Sequence, residues 1–251
     1  MLSFSYFWFS LLMGFLKANS EAMDFTTFEK KAGIDFKDKA LLKQAFVHRS
    51  YINENKSSGL SHNERLEFLG DAVLELVITD FLFREYKDRD EGELTSYRSA
   101  LVNATTCSDI ATSLGVNDYL LLSKGESKDM GRARQYILAN TLEALIGALY
   151  LDAGYDGAKK FIETYFTPLI EQIMKEGSHI DAKSLFQEKA QEFDSITPAY
   201  KTIKETGPDH DKKFTVGVFL GKDLVAEGEG KSKQDAEQVA ARAALEVRGW
   251  K

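Results

Sequence analysis

The sequence predicts two domains of different class: an all-α domain over residues 23–176 and an α-β-β-β-α domain over residues 181–251, joined by a polar linker at 177–180. Three observations carry this. A length of 251 residues allows one or two domains at about 100–200 residues each. From Asp24 to about Lys175 apolar residues recur at helical spacing, as in Leu41-Leu42-Ala45-Phe46 and Ile110-Leu114, with strand signals nearly absent. After the break Glu176-Gly177-Ser178-His179-Ile180 the pattern changes to short β-rich runs bracketed by two helical stretches.

Taken in order, Leu2 to Leu16 is apolar and aromatic but shorter than the roughly 18–20 residues of a membrane span. No Lys or Arg precedes it, as a secretory signal would require. Met23 opens a conventional start (MDFTTFEKKAG), so residues 1–22 are expected to lie outside the folded domain, with no membrane association and a cytoplasmic location. Asp38 is placed to cap a helix over KALLKQAFVH, and Gly70, Gly92, Gly115, Gly125 and Gly131 punctuate or thin the helical patterns that follow. In the second domain a helix is expected over Ala182 to Phe193, strands over Ala199 to Glu205, Phe214 to Leu220 and Leu224 to Glu229, and a last helix over Lys233 to Arg248. Gly207-Pro208-Asp209 and Gly221-Lys222-Asp223 suit the two hairpin turns.

Composition excludes several classes. With 43% hydrophobic residues, 28% charged and 3 Pro, the chain is neither disordered nor collagen-like. The single Cys107 leaves no disulfide framework and no cysteine-based zinc site, fits a reducing cytosol, and reads as a small core residue. A formal net charge of −7 argues, on its face, against a polyanion partner.

The most informative stretch is Asn63 to Leu74 (NERLEFLGDAVL). On a helix Glu64, Glu67 and Asp71 fall within roughly 60° of one another, around an apolar stripe of Leu66, Leu69, Val73 and Leu76. A solvated acidic face is one reading. The almost wholly apolar run Ile137 to Tyr150 supplies another, because it places Asn140 and Glu143 on a helix that should be buried, where an unpartnered carboxylate is costly. If the two helices face each other they form a cluster of hard oxygen ligands that selects Mg²⁺ or Mn²⁺ and suits phosphoryl chemistry. His48 and His62 flank helical segments and read as structural or surface histidines.

These residues resemble the signature of the ribonuclease III family, and the region from about Phe25 to Lys175 resembles its endonuclease domain. Further landmarks are Ala45 to Ser50 with Asn53 and Glu54, Glu91 to Thr95, and Leu138 to Asp152 ahead of Gly154. The resemblance implies a homodimeric, Mg²⁺-dependent endoribonuclease, with Mn²⁺ able to substitute, that cuts double-stranded RNA to 5′-phosphate and 3′-hydroxyl ends. Ribosomal-RNA precursors and structured transcripts are the implied substrates. By carry-over Glu67 is a direct metal ligand, Asp71 a catalytic acid that organises the attacking water, and Glu143 a bridging ligand essential to the chemistry. Asn140 stands where many members have Asp; its amide oxygen can still ligate but brings no charge, so weaker Mg²⁺ binding is expected. Glu64 and Glu91 match acidic positions bordering the site. Phe68 matches a position from which an aromatic ring enters the partner subunit, an ordinary core phenylalanine being the other reading.

In the second domain, Gly228 to Lys233 opens the last helix and Gly207 to His210 forms a loop, and both are candidate polyanion contacts or plain turns. Together Asp181 to Val247 resemble a double-stranded-RNA-binding domain, which reads A-form shape across two minor grooves. The resemblance assigns Gln187 and Glu188 to 2′-hydroxyls, His210 to the second minor groove, and Lys231 and Lys233 to phosphates; Gln234 stands where a second basic residue is common. A non-cleaving double-stranded-RNA-binding or ribosome-associated protein of the same fold is the alternative, but only Asn140 departs from the acid pattern. Charge division narrows the objection to a polyanion. Residues 181–251 carry 12 Lys+Arg against 13 Asp+Glu, and residues 1–180 carry 20 against 26, so most of the acidity lies in the metal-binding half. Binding by a few placed lysines should be modest and salt-sensitive.

Overall fold

The computed structural model describes residues 24–176, 181–208 and 212–250. The expected extension at 1–22, the linker at 177–180 and His210 lie outside the described residues. The chain divides into two compact units between Gln172 and Ile173.

In the first unit, α1 (Thr26–Ala32) ends on Gly33, which takes the left-handed conformation (φ 62°). Asp38 caps α2 (Lys39–Ala45) by accepting hydrogen bonds from the amides of Ala40 and Leu41. His48 caps α3 (Arg49–Glu54). The long α4 (Glu64–Glu85) is followed by α5 (Glu91–Leu101), opened by a reciprocal capping box between Asp90 and Glu93, and by α6 (Ala104–Leu114), capped by Asn103. Then come α7 (Arg132–Phe166), kinked at Gly154, and α8 (Ile170–Glu176), within which the boundary between the units falls. The kink is a single glycine at φ 74° and ψ −174°, a conformation open to glycine alone. The core forms where α4 lies along α7, with α6 and α2 closing over it; Leu74, Ile78, Leu82, Leu142 and Leu145 are fully buried there. By length and composition Arg132–Lys175 also holds a window apolar enough for a membrane span, but most of that window is buried in the protein. Among the described residues the one β feature here is an isolated parallel bridge between Val47 and Leu121.

The second unit has α9 (Ala182–Asp194), three antiparallel strands β1 (Ala199–Thr206), β2 (Lys213–Leu220) and β3 (Asp223–Gly230) in that spatial order, and α10 (Lys233–Arg248). Every element expected here is present within a residue of its expected bounds. Phe186, Val218 and an alanine face of α10 (Ala240, Ala241, Ala244) fill its core. That face lets α10 sit on the sheet so closely that a Cβ at Gly228 would lie 2.2 Å from the Ala240 amide nitrogen and one at Gly230 2.5 Å from that of Ala236. The two glycines ahead of Lys231 are therefore required by strand–helix packing, whatever the loop binds.

Candidate active site

The start of α4 is fixed by Asn63, which is buried: its side-chain amide donates to the Ala45 carbonyl at 3.0 Å and its backbone N–H to the Val47 carbonyl at 2.9 Å. Its own carbonyl accepts from the amides of Leu66 and Glu67. From there α4 meets α7 at a crossing made by two glycines. A Cβ on Gly70 would lie 1.7 Å from the Glu143 carbonyl oxygen, and one on Gly147 would lie 2.2 Å from the Leu66 carbonyl oxygen. Backbones this close carry the side chains on either side of the crossing into one another, Glu67 and Asp71 from α4, Asn140 and Glu143 from α7.

The electrostatics record that meeting. Glu67 hydrogen-bonds Asn140, and its carboxyl is held above the usual range by burial, then by the charge of Glu64, with the Asn140 bond opposing and Asp71 adding. Glu143 is pushed up to about 7, first by burial and then by Asp71 and Glu67. Beneath them Cys107 of α6 is buried, and burial together with Glu143 and Asp71 drives its thiol to about 12, an inert core residue as expected.

A pH dependence follows for the metal-free protein. The folded state holds a proton on Glu143 up to about 7, against the ordinary 4.5, so between those values it binds more protons than the unfolded chain and stability falls as pH rises. Thermal unfolding in chelator should show the protein less stable at pH 8 than at pH 5, by about 2 kcal/mol after allowance for partial solvent contact. A Tm that is flat or rises across that window would contradict the arrangement.

The other expected residues are distributed around this cluster. Glu64 sits at its edge, 3.2 Å from the Arg49 guanidinium and 3.7 Å from His62 Nδ1. Glu91, at the start of α5, lies instead beside Thr79, Phe83 and Arg98. Thr79 is eight residues, roughly 12 Å, beyond Asp71 along α4, so one chain alone does not bring Glu91 to the cluster. His48 is structural: its Nδ1 lies 2.8 Å from the Ser50 hydroxyl, which accepts from the Ser123 amide, and burial lowers its pKa. Phe68 is 81% exposed, which removes the core reading. It borders an open groove of about 650 Å³ lined also by Leu41, Gln44, His62, Leu69 and Leu151.

In the second unit Gln187 and Glu188 line a shallow exposed groove on α9 with Ser184, Gln191 and Glu192. Lys231 is exposed. Lys233 is not a free cation: its ammonium is 3.0 Å from Glu205 and 5.6 Å from the Phe214 ring. Ser232 caps α10 by accepting from the Asp235 amide.

Sequence reasoning missed three residues that build the site. Gly147 lay unremarked in an apolar run; its signal was its place one turn after Glu143, matching Gly70 three residues after Glu67. Asn63 stands in the signature, but the partners that give it an anchoring role, Ala45 and Val47, lie in another segment. Arg134 is buried and donates to the carbonyls of Glu126 (2.7 Å) and Asp129 (3.1 Å) and to Asn117 (3.3 Å), fixing the loop ahead of α7; a buried arginine has no sequence signal of its own.

Comparison with known proteins gives three findings. A family model described as Ribonuclease-III-like matches residues 38–169, and one described as a double-stranded RNA binding motif matches residues 182–248. "Ribonuclease 3" of Borreliella burgdorferi is 42% identical over 233 residues, covering 93% of this chain and 95% of that protein. "Ribonuclease 3" of Protochlamydia amoebophila is 45% identical over 217 residues, covering 86% and 89%. Among solved structures the nuclease domain of Ribonuclease III from Campylobacter jejuni, described with a region involved in dimer formation, aligns at 40% identity and TM-score 0.51. It covers 57% of this chain and 99% of that one.

Proposed function

Given that the chain belongs to the ribonuclease III family and is an endoribonuclease acting on double-stranded RNA, we propose that it works as a homodimer in which each subunit's Glu67, Asp71, Asn140 and Glu143 form one divalent-metal cutting site. The observation that carries this is the glycine crossing of α4 and α7, which sets those four side chains together. In this reading the nuclease domain occupies residues 23–176 and the RNA-binding domain residues 181–251.

The donor set fits Mg²⁺. Its donor atoms are all hard oxygens, and burial, with the charges of Asp71 and Glu67 adding to it, raises Glu143. Among the described residues no three Asp, Glu, His or Cys side chains could hold a metal ion by themselves; Mg²⁺ keeps several waters and takes one or two carboxylates. Glu67, Asn140 and Glu143 would hold it, with Mn²⁺ an acceptable substitute. The chemistry such an ion would supply is activation of a water and neutralisation of charge on the phosphate and the departing 3′ oxygen. Asp71 would orient a water for in-line attack on phosphorus and take its proton; the P–O bond to the 3′ oxygen breaks, and that oxygen takes up a proton from solvent, leaving a 5′-phosphate and a 3′-hydroxyl. Glu64 borders the site from the same chain, whereas Glu91, held away from the cluster in its own chain, would border a site only across the dimer. Phe68 and the groove beside it form the dimer contact, an exposed aromatic next to an apolar hollow being the anchor-and-pocket pattern of interfaces. Gln187, Glu188, His210, Lys231 and Lys233 hold the duplex by its shape and phosphates. Ribosomal-RNA precursors and structured transcripts in the cytoplasm are the substrates this reading assigns.

The deciding experiment is incubation with a perfect RNA duplex, with Mg²⁺ and with chelator. Metal-dependent cutting to 5′-phosphate ends is expected; a gel shift with no cutting under either condition would overturn the site in favour of a binding protein. Asn140 adds a finer test. Because ligand charge tunes affinity for hard cations, Asn140→Asp should lower the Mg²⁺ concentration for half-maximal cutting roughly three- to tenfold. An unchanged midpoint would remove Asn140 from the ligand set.

A further inference from the structure

The exposed face of α7 does not end at the acidic cluster. Stepping back toward its N-terminus by helical spacing, Asn140, Tyr136 and Arg132 are each four residues apart and lie, with Glu143, within about 80° of one another on the helix. Tyr136 is 47% exposed, although the helix is almost wholly buried from Ile137 to Leu149. Its hydroxyl accepts a hydrogen bond from Arg132 Nη2 at 3.3 Å, and the Arg132 guanidinium lies 5.8 Å from the Tyr136 ring centroid. Arg132 is exposed, and among the described residues its guanidinium meets Tyr136 and no carboxylate. The two neighbouring positions are tied down: Arg134 is buried in the preceding loop and Gln135 donates to the Thr105 hydroxyl at 3.1 Å.

We propose that Arg132, oriented by Tyr136, is a positioning residue for cleavage: it grips a backbone phosphate of the RNA strand beside the scissile one and sets that strand's register over the acidic cluster. Three physical points support it. An RNA strand approaching Glu67, Asp71 and Glu143 meets like charge, so a cation on the same face offsets repulsion where the strand must come closest. A guanidinium is suited to phosphate because its donors form a planar fork, and a tyrosine ring that holds that fork in place reduces the ordering cost of contact. Tyr136 stands about 6 Å and Arg132 about 12 Å from Asn140 along the helix axis, near enough to touch the same strand and far enough not to ligate the metal. The proposal rests on the reading of the cluster as the cutting site and adds residues that reading does not use.

The test uses the full-length protein, a perfect RNA duplex longer than about 16 base pairs, and steady-state cutting over a series of salt concentrations. Arg132→Ala should raise KM about 5–10-fold with kcat nearly unchanged, and should reduce the slope of log(1/KM) against log salt by about one. Arg132→Lys should restore the slope, since it restores the charge. Tyr136→Ala should raise KM by less, and in the Arg132→Ala background it should add almost nothing, because the tyrosine acts through the arginine. An unchanged salt slope in Arg132→Ala, or full additivity of the two substitutions, would overturn the proposal. Cutting by the parent protein under the same conditions separates this outcome from failure of the cutting site itself.

Discussion

Replacement of Glu143 by glutamine is expected to abolish cutting, with kcat down by at least about 10³-fold, while making the metal-free protein more stable above pH 7. The two effects have one cause. Burial and the charges of Asp71 and Glu67 raise the Glu143 carboxyl to about 7, so at pH 8 the folded protein carries a charge that its surroundings oppose. Glutamine keeps the shape and an oxygen but removes that charge. Stability should rise by about 1–2 kcal/mol, or a few degrees in Tm for a unit of this size. What is lost is the anionic ligand the cation requires, the expected conflict between a stable fold and a functional site. Single-turnover cutting and thermal unfolding in chelator at pH 8 measure both. Activity within tenfold of the parent, or a lowered Tm, would show that Glu143 is a structural acid.

Gly70→Ala should be the most damaging substitution of a single methyl group in the nuclease unit. Alanine is the better helix former by about 1 kcal/mol, and on helix propensity alone the change would stabilise α4. The new Cβ, however, would stand 1.7 Å from the carbonyl oxygen of Glu143. That atom belongs to a backbone, so no rotamer relieves the clash and the two helices must separate. Overpacking of this kind costs about 3 kcal/mol or more. Activity should fall with stability, because separating the helices pulls Glu67 and Asp71 away from Asn140 and Glu143. The comparison is Gly125→Ala, where the nearest atom to the added carbon is the Ser123 hydroxyl at 3.8 Å and φ is −70°; it should change stability by less than about 0.5 kcal/mol. Equal behaviour of the two variants in denaturant unfolding and in cutting would mean the crossing is not what assembles the site.

The two units differ in how fully the sequence specifies them. In the second unit, helix and strand limits follow from local pattern alone: Asp181 and Ser232 cap helices whose amides they satisfy, and alternation along Phe214 to Leu220 places Val216, Val218 and Leu220 in the core. In the first, Asp38 and the acid spacing of Glu64, Glu67 and Asp71 were equally legible, because a cap and a helical face are properties of a few consecutive residues. The merging of the run from Ile137 with the residues beyond Gly154 into one kinked helix was not, since it depends on a backbone conformation that glycine permits but does not announce.

By itself, then, the sequence determined the order and class of the elements, the acids that share a face of α4, and the separate polar pair on α7, all of them consequences of local periodicity. Only the tertiary structure decided that these two faces meet, since that depends on Gly70 and Gly147 approaching across 77 positions of sequence. It likewise decided that Phe68 is exposed, that Lys233 is paired with Glu205, and that Glu91 stands apart from the cluster in a single chain. The physical reason is the same in each case: periodicity says which way a side chain points on its own element, and only packing says what it then faces.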